Sequence, residues 1–189
     1  MAKQAEVIEQ RLSQASLFKS QGNVCYSEHR IRDAVKLYHH ALLQLRSLDP
    51  HLLSPLPGLG PSSSELTPQQ LEVQEKLQAD CYNNLAACLL QSQPPKYERV
   101  YECSLQTLKI QPHNVKALYR AGVSSYHLND YTTAYGYLSE AASQQPKGRR
   151  VQCSVYIGYL VGPSEEEMSH NDQSYFKQSQ QAISHEPDF

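Results

Sequence analysis

Apolar residues recur three and four places apart along most of this chain, the spacing that lines one face of a helix. The stretches AVKLYHHALLQLRSL and EVQEKLQADCYNNLAACLL show it most clearly. Only Val151 to Leu160 carries a weak alternating pattern that could compete as a strand. The spacing predicts an all-α chain built from paired helices.

Small residues then fall at fixed intervals. Ala34 and Ala41 stand seven apart, as do Ala134 and Ala141. Gly22 precedes Ala34 by twelve places, and Gly122 precedes Ala134 by the same interval. Pro112 and Pro146 are 34 residues apart, the period of the tetratricopeptide repeat. Small residues at these places let two antiparallel helices approach closely, larger apolar residues fill between them, and proline ends the second helix.

In that frame three helix-turn-helix repeats occupy residues 15–48, 79–114 and 115–148, which predicts a short right-handed α-solenoid over 15–148. The first repeat holds Phe18, Gly22, Tyr26, Ile31, Ala34, Tyr38 and Ala41. The third holds Leu118, Gly122, Tyr126, Tyr131, Ala134, Leu138 and Ala141. The middle one is irregular: Ala86 takes the glycine place, Val100 and Thr107 the alanine places, and Pro94 with Pro95 lengthens its turn by two residues. Residues 1–14 read as an N-terminal helical extension.

A stretch rich in Pro, Gly and Ser separates the first two repeats, DPHLLSPLPGLGPSSSELTP. It cannot hold a helix and predicts a loop over 49–67. Thr67 is placed to cap a helix with Pro68 at its first position, so the helix of the second repeat begins early, with an extension over 68–78. Past Lys147 the frame fails. Residues 149–163 mix glycine with β-branched residues where a capping helix would be expected, and 164–189 are polar enough to predict a disordered tail.

Composition narrows the function. Of 189 residues, 17 are basic and 19 acidic, a net charge of −2, which argues against nucleic acid or an anionic membrane surface as partner. The start lacks a signal-peptide core, and Val151 to Val161 is too short to span a bilayer, so the expected location is cytoplasmic. Five cysteines without C-x-x-C spacing predict reduced, buried thiols rather than disulfides or zinc. Adjacent His39 and His40 point to different helix faces and have no histidine one turn away, so no metal is expected. The 13 tyrosines are expected mostly in the core. Gly58 and Gly60 lie in the Pro-rich loop and are no dinucleotide fingerprint. With no reactive constellation, neither cofactor nor enzymatic activity is expected.

Five polar residues occupy repeat positions expected to line the inner groove: Lys19, Asn23, Asn84, Lys116 and Arg120. Four-residue spacing pairs Lys19 with Asn23, and Lys116 with Arg120, on single helix faces, and the two cations repel slightly. Such residues could simply be a solvated face. With the repeat frame, however, they make residues 15–147 resemble the carboxylate-clamp tetratricopeptide domains of heat-shock chaperone adaptors, such as the large immunophilins. The insert after LYHHALLQLRSLDP, with the segments CYNNLAACLLQ and ALYRAGVSSYHLNDY, resembles the tetratricopeptide repeat protein 9 family.

The resemblance implies a non-catalytic adaptor that binds the C-terminal Glu-Glu-Val-Asp peptide of a seventy- or ninety-kilodalton heat-shock chaperone. Lys19, Asn23 and Asn84 would hold the main-chain carboxylate, Lys116 the aspartate side chain, and Arg120 the upstream peptide. The residue types suit such a ligand, since cations give charge-assisted bonds to carboxylates and asparagine amides donate without adding charge. The alternative is a repeat scaffold whose ligand is an internal helix or extended segment of an unrelated protein.

Overall fold

A computed structural model of the chain describes residues 2–48 and 66–144. Residues 49–65 of the loop expected at 49–67, the capping segment at 149–163, the tail at 164–189 and Cys153 lie outside them. Every regular element among the described residues is an α-helix. They are α1 (Ala2–Ser27), α2 (Ile31–Arg46), α3 (Pro68–Leu90), α4 (Tyr97–Ile110), α5 (Val115–His127) and α6 (Tyr131–Ser143). α1 packs on α2, α3 on α4, and α5 on α6, while α3 also lies against α2 and α1. The chain divides into two compact units, Met1–Pro112 with α1 to α4 and His113–Phe189 with α5 and α6.

Small residues set how closely each pair packs. Ala34 and Ala41 of α2, and Ala134 and Ala141 of α6, are completely buried, as are Val100 and Thr107 of α4. Opposite them, Gly22 lies under the ring of Tyr38, where a Cβ would stand 2.7 Å from Cε1. Gly122 meets Leu138 in the same way, with 2.6 Å from a Cβ to Leu138 Cγ. Nothing larger than hydrogen fits at either place without movement of the facing side chain. In the middle pair Ala86 carries that Cβ, and the corresponding residue of α4 is the smaller Ser104, also fully buried. The irregular repeat thus exchanges volume from one helix to the other.

The short turns end the leading helices in the same manner. His29 and Asn129 adopt positive φ (57° and 64°), and the bonds Arg30 N to Cys25 O and Asp130 N to Ser125 O close Schellman turns. The middle turn is longer: residues 91–96 separate α3 from α4, with a cis peptide bond between Gln93 and Pro94.

At its other end α3 starts from a reciprocal cap. Gln70 N donates to Thr67 Oγ1, Thr67 N donates to Gln70 Oε1, and Pro68 holds the first helical position. The first turns of α3 then run beside the first turns of α1. Ile8, Leu12 and Ala15 form a buried cluster with Ala41, Leu45, Leu77 and Cys81. Within it the Gln74 side chain donates to Leu45 O at 3.2 Å, satisfying a buried amide. Helical residues on both sides of the frame's first repeat therefore share one core. A second cluster joins Cys25, Ala34, Tyr38, Leu85, Ala86, Cys88, Leu89, Val100 and Cys103.

The tyrosine expectation needs correction. Among the described residues only Tyr38 and Tyr119 are buried, while Tyr131 and Tyr135 are exposed and the others partly buried. An amphipathic ring packs at the edge of a helix pair and leaves its hydroxyl near water.

Candidate functional site

α1 and α3 bring three of the five candidate residues together. Asn84 Nδ2 donates to Asn23 Oδ1 at 2.9 Å, and Tyr38 Oη donates to the same oxygen at 2.8 Å. Both acceptor positions of that amide oxygen are thereby filled. Asn23 is fixed with its Nδ2 turned from these partners, and Asn84 is held against both Asn23 and Tyr38. Burial pushes the Tyr38 hydroxyl well above the ordinary tyrosine range, so it stays a donor. The acceptor shared by these residues, Asn23 Oδ1, is thus consumed internally.

Lys19 lies one turn before Asn23 on α1. Its Nζ is 2.9 Å from Oδ2 of Asp80, which lies one turn before Asn84 on α3. Both side chains remain accessible, 22% and 36% exposed. Asp80 is not among the five residues that the repeat frame picks out. Its signal is nonetheless present in the sequence, since an acid four residues before Asn84 must share that residue's helix face.

Lys116 and Arg120 belong to the second unit, one turn apart on α5. Lys116 is half-buried, and Arg120 is only 4% exposed. Lys116 is the second residue of its helix, behind the Asn114 cap whose Oδ1 accepts from Ala117 N at 3.1 Å. A cation in a first helical turn adds to the positive end of the helix dipole.

A cavity of about 860 Å³ adjoins Lys19 between the leading halves of α1 and α3. Glu9, Leu17, Val73 and Lys76 are among its lining residues. Leu17 and Val73 are 56% and 47% exposed. Cys25, Cys81, Cys88 and Cys103 are buried free thiols. Burial pushes Cys81 up to about 12 and Cys103 up to about 11, so neither supplies a thiolate. Among the described residues no group of three or more His, Cys, Asp or Glu side chains could hold a metal. No described helix is long and apolar enough to cross a membrane.

Comparison with known proteins agrees with the helix-pair architecture. No protein-family model matches the chain. Among solved structures, the C-terminal TPR-containing domain of a Plasmodium falciparum FK506-binding protein superposes with a TM-score of 0.67 at 22% identity, covering 90% of this chain and 95% of that one. The TPR domain of Arabidopsis OM64 gives 0.56 at 19% identity over 79% of this chain and 96% of its own. The Hsp90 co-chaperone Cns1 of Saccharomyces cerevisiae also gives 0.56, at 22% identity, over 89% of this chain and 45% of its own. At these identities the likeness is one of fold, an all-α tetratricopeptide fold. Sequence carries the relation further: tetratricopeptide repeat protein 9C of Xenopus tropicalis is 68% identical over 157 residues, 83% of this chain and 88% of that protein. The chain therefore belongs to the tetratricopeptide repeat protein 9 family.

Proposed function

We propose that this chain is a non-catalytic protein-binding adaptor that captures the C-terminal Glu-Glu-Val-Asp segment of a cytoplasmic heat-shock chaperone. The observation that carries the reading is the bonding of Asn23. Its oxygen is occupied by Tyr38 and Asn84, which leaves the Asn23 amide nitrogen as a donor one helical turn from Lys19. A carboxylate is the ligand that such a set of donors complements, and capture of a C-terminal carboxylate is a recurring mode of peptide recognition. Lys19, Asn23 and Asn84 serve the main-chain carboxylate, Lys116 the aspartate side chain, and Arg120 the upstream peptide. Cns1, a structural neighbour, is described as an Hsp90 co-chaperone.

Calorimetric titration of the full chain tests this with the free-acid peptide and its C-terminal amide. The acid binds and the amide loses most of the affinity. Lys116→Ala weakens the acid by about 2–5 kcal/mol where the charge pair is desolvated. Equal binding of acid and amide would sink the proposal. That outcome would favour a second reading, suggested by exposed Leu17 and Val73 in the neighbouring cavity: an internal helix or extended segment of another protein.

A further inference from the structure

The Lys19 ammonium, which would meet the carboxylate, already has one. Asp80 Oδ2 lies 2.9 Å away, on the adjoining helix and on the same face as Asn84. The pair is only partly covered, so each side chain can turn to water at small cost. An arriving carboxylate meets two opposing terms. It must take over a cation that is already neutralised, and it must approach another negative charge across a short gap.

We propose that Asp80 is a resident competitor for the Lys19 ammonium and the residue that sets the affinity threshold of the site. The proposal rests on the carboxylate-binding reading above. In the resting site Asp80 stands in for the ligand and keeps Lys19 extended toward α3. On binding, the ligand carboxylate takes Lys19 together with the amides of Asn23 and Asn84, and Asp80 turns outward to water. Every chain terminus carries a main-chain carboxylate, so an unopposed ammonium would attract them all. A fixed competitor lowers the affinity of each by the same factor, and those without further contacts fall below useful occupancy. Asp80 thus acts against wrong ligands while making no favourable contact with the right one.

The opposite role is equally concrete. Asp80 could be a positioning residue that aims Lys19 at the ligand, and its removal would then weaken binding. The two roles predict opposite signs for one substitution. Asp80→Asn keeps the shape and removes the charge, and Asp80→Ser serves if the first variant folds poorly. The full chain and each variant are titrated with the free-acid Glu-Glu-Val-Asp peptide and its amide. If Asp80 competes, either variant binds the acid about two- to fivefold more tightly, the range expected for one partly exposed ion pair. The amide gains less, and the gain disappears when Lys19→Ala is present in the same chain. Unchanged or weaker acid binding overturns the proposal and leaves the carboxylate reading standing. A gain that survives Lys19→Ala is a general charge effect and also overturns it. If the acid binds neither the wild type nor the variants, both readings fall together.

Discussion

Tyr38, a fully buried residue of α2, donates from its hydroxyl to Asn23 Oδ1 at the surface of α1. One side chain therefore belongs to the core along its ring and to the candidate site at its tip. The ring covers Gly22, and the hydroxyl orients the amide one residue further on.

Tyr38→Phe separates these two duties. It keeps the packing and removes one hydrogen bond, so unfolding stability should fall by about 1 kcal/mol. Peptide affinity should fall several-fold, because Asn23 loses one of the two bonds that orient its amide and keeps only the one from Asn84. Denaturant melts beside calorimetry check this. Undiminished affinity would show that Tyr38 does not hold Asn23 for the ligand.

Gly22→Ala tests the close approach itself. The added methyl meets the Tyr38 ring inside contact distance, and overpacking of this kind costs about 1–3 kcal/mol. Gly22→Ala with Tyr38→Ser reproduces the size combination found at Ala86 and Ser104. It should recover part of the strain while losing ring burial. Urea unfolding of the two single variants and the double variant reads the coupling between them, which should be non-additive.

Thr67→Ala should cost about 1 kcal/mol, since the hydroxyl satisfies an otherwise orphaned amide at the start of α3. Hydrogen exchange should quicken first at Leu71 and its neighbours, and exchange at Tyr97–Ile110 should be unaffected. Protection unchanged at the start of α3 would mean that the cap contributes little.

Acidification should destabilise the fold. Partial desolvation lowers His39, aided by Arg99 and His40, and lowers His127, each below its usual 6.5; both residues are still exposed overall, so the effect on stability is small. The folded state therefore resists protons that the unfolded chain accepts. Stability is full above about pH 6.5 and declines as pH falls from there toward the lowered folded values. Thermal melts between pH 7.5 and 5.5 check the slope, which His39→Gln with His127→Gln should flatten.

The repeats were legible because packing between two helices at close range tolerates few residue types, and Gly22, Ala34, Gly122 and Ala134 are of those types. The start of α3 was legible because Thr67 and Pro68 each suit one position of a helix end. The frame also placed Asn23 and Asn84 on adjoining helices, one turn or less from Lys19 and Asp80. It could not supply the shared bond of Tyr38, Asn23 and Asn84, because a repeat frame gives faces and not rotamers. The spacing puts Asp80 on the face of Asn84, but its pairing with Lys19 depends on the side chain opposite, which a repeat frame does not give. The pairing of the first turns of α1 with those of α3 lay beyond local pattern, since Ile8 and Leu77 are brought together only by tertiary packing.

Leu48, at the end of the first helix pair, and Leu66, just before α3, both pack against the same buried cluster. The two ends of the Pro-rich stretch are therefore pinned to one core by their own side chains. Closing a loop whose ends are already held costs entropy that grows only with the logarithm of its length, about 0.6 kcal/mol for each doubling. Leu48 and Leu66 thus fix where the chain leaves this core and where it returns to it.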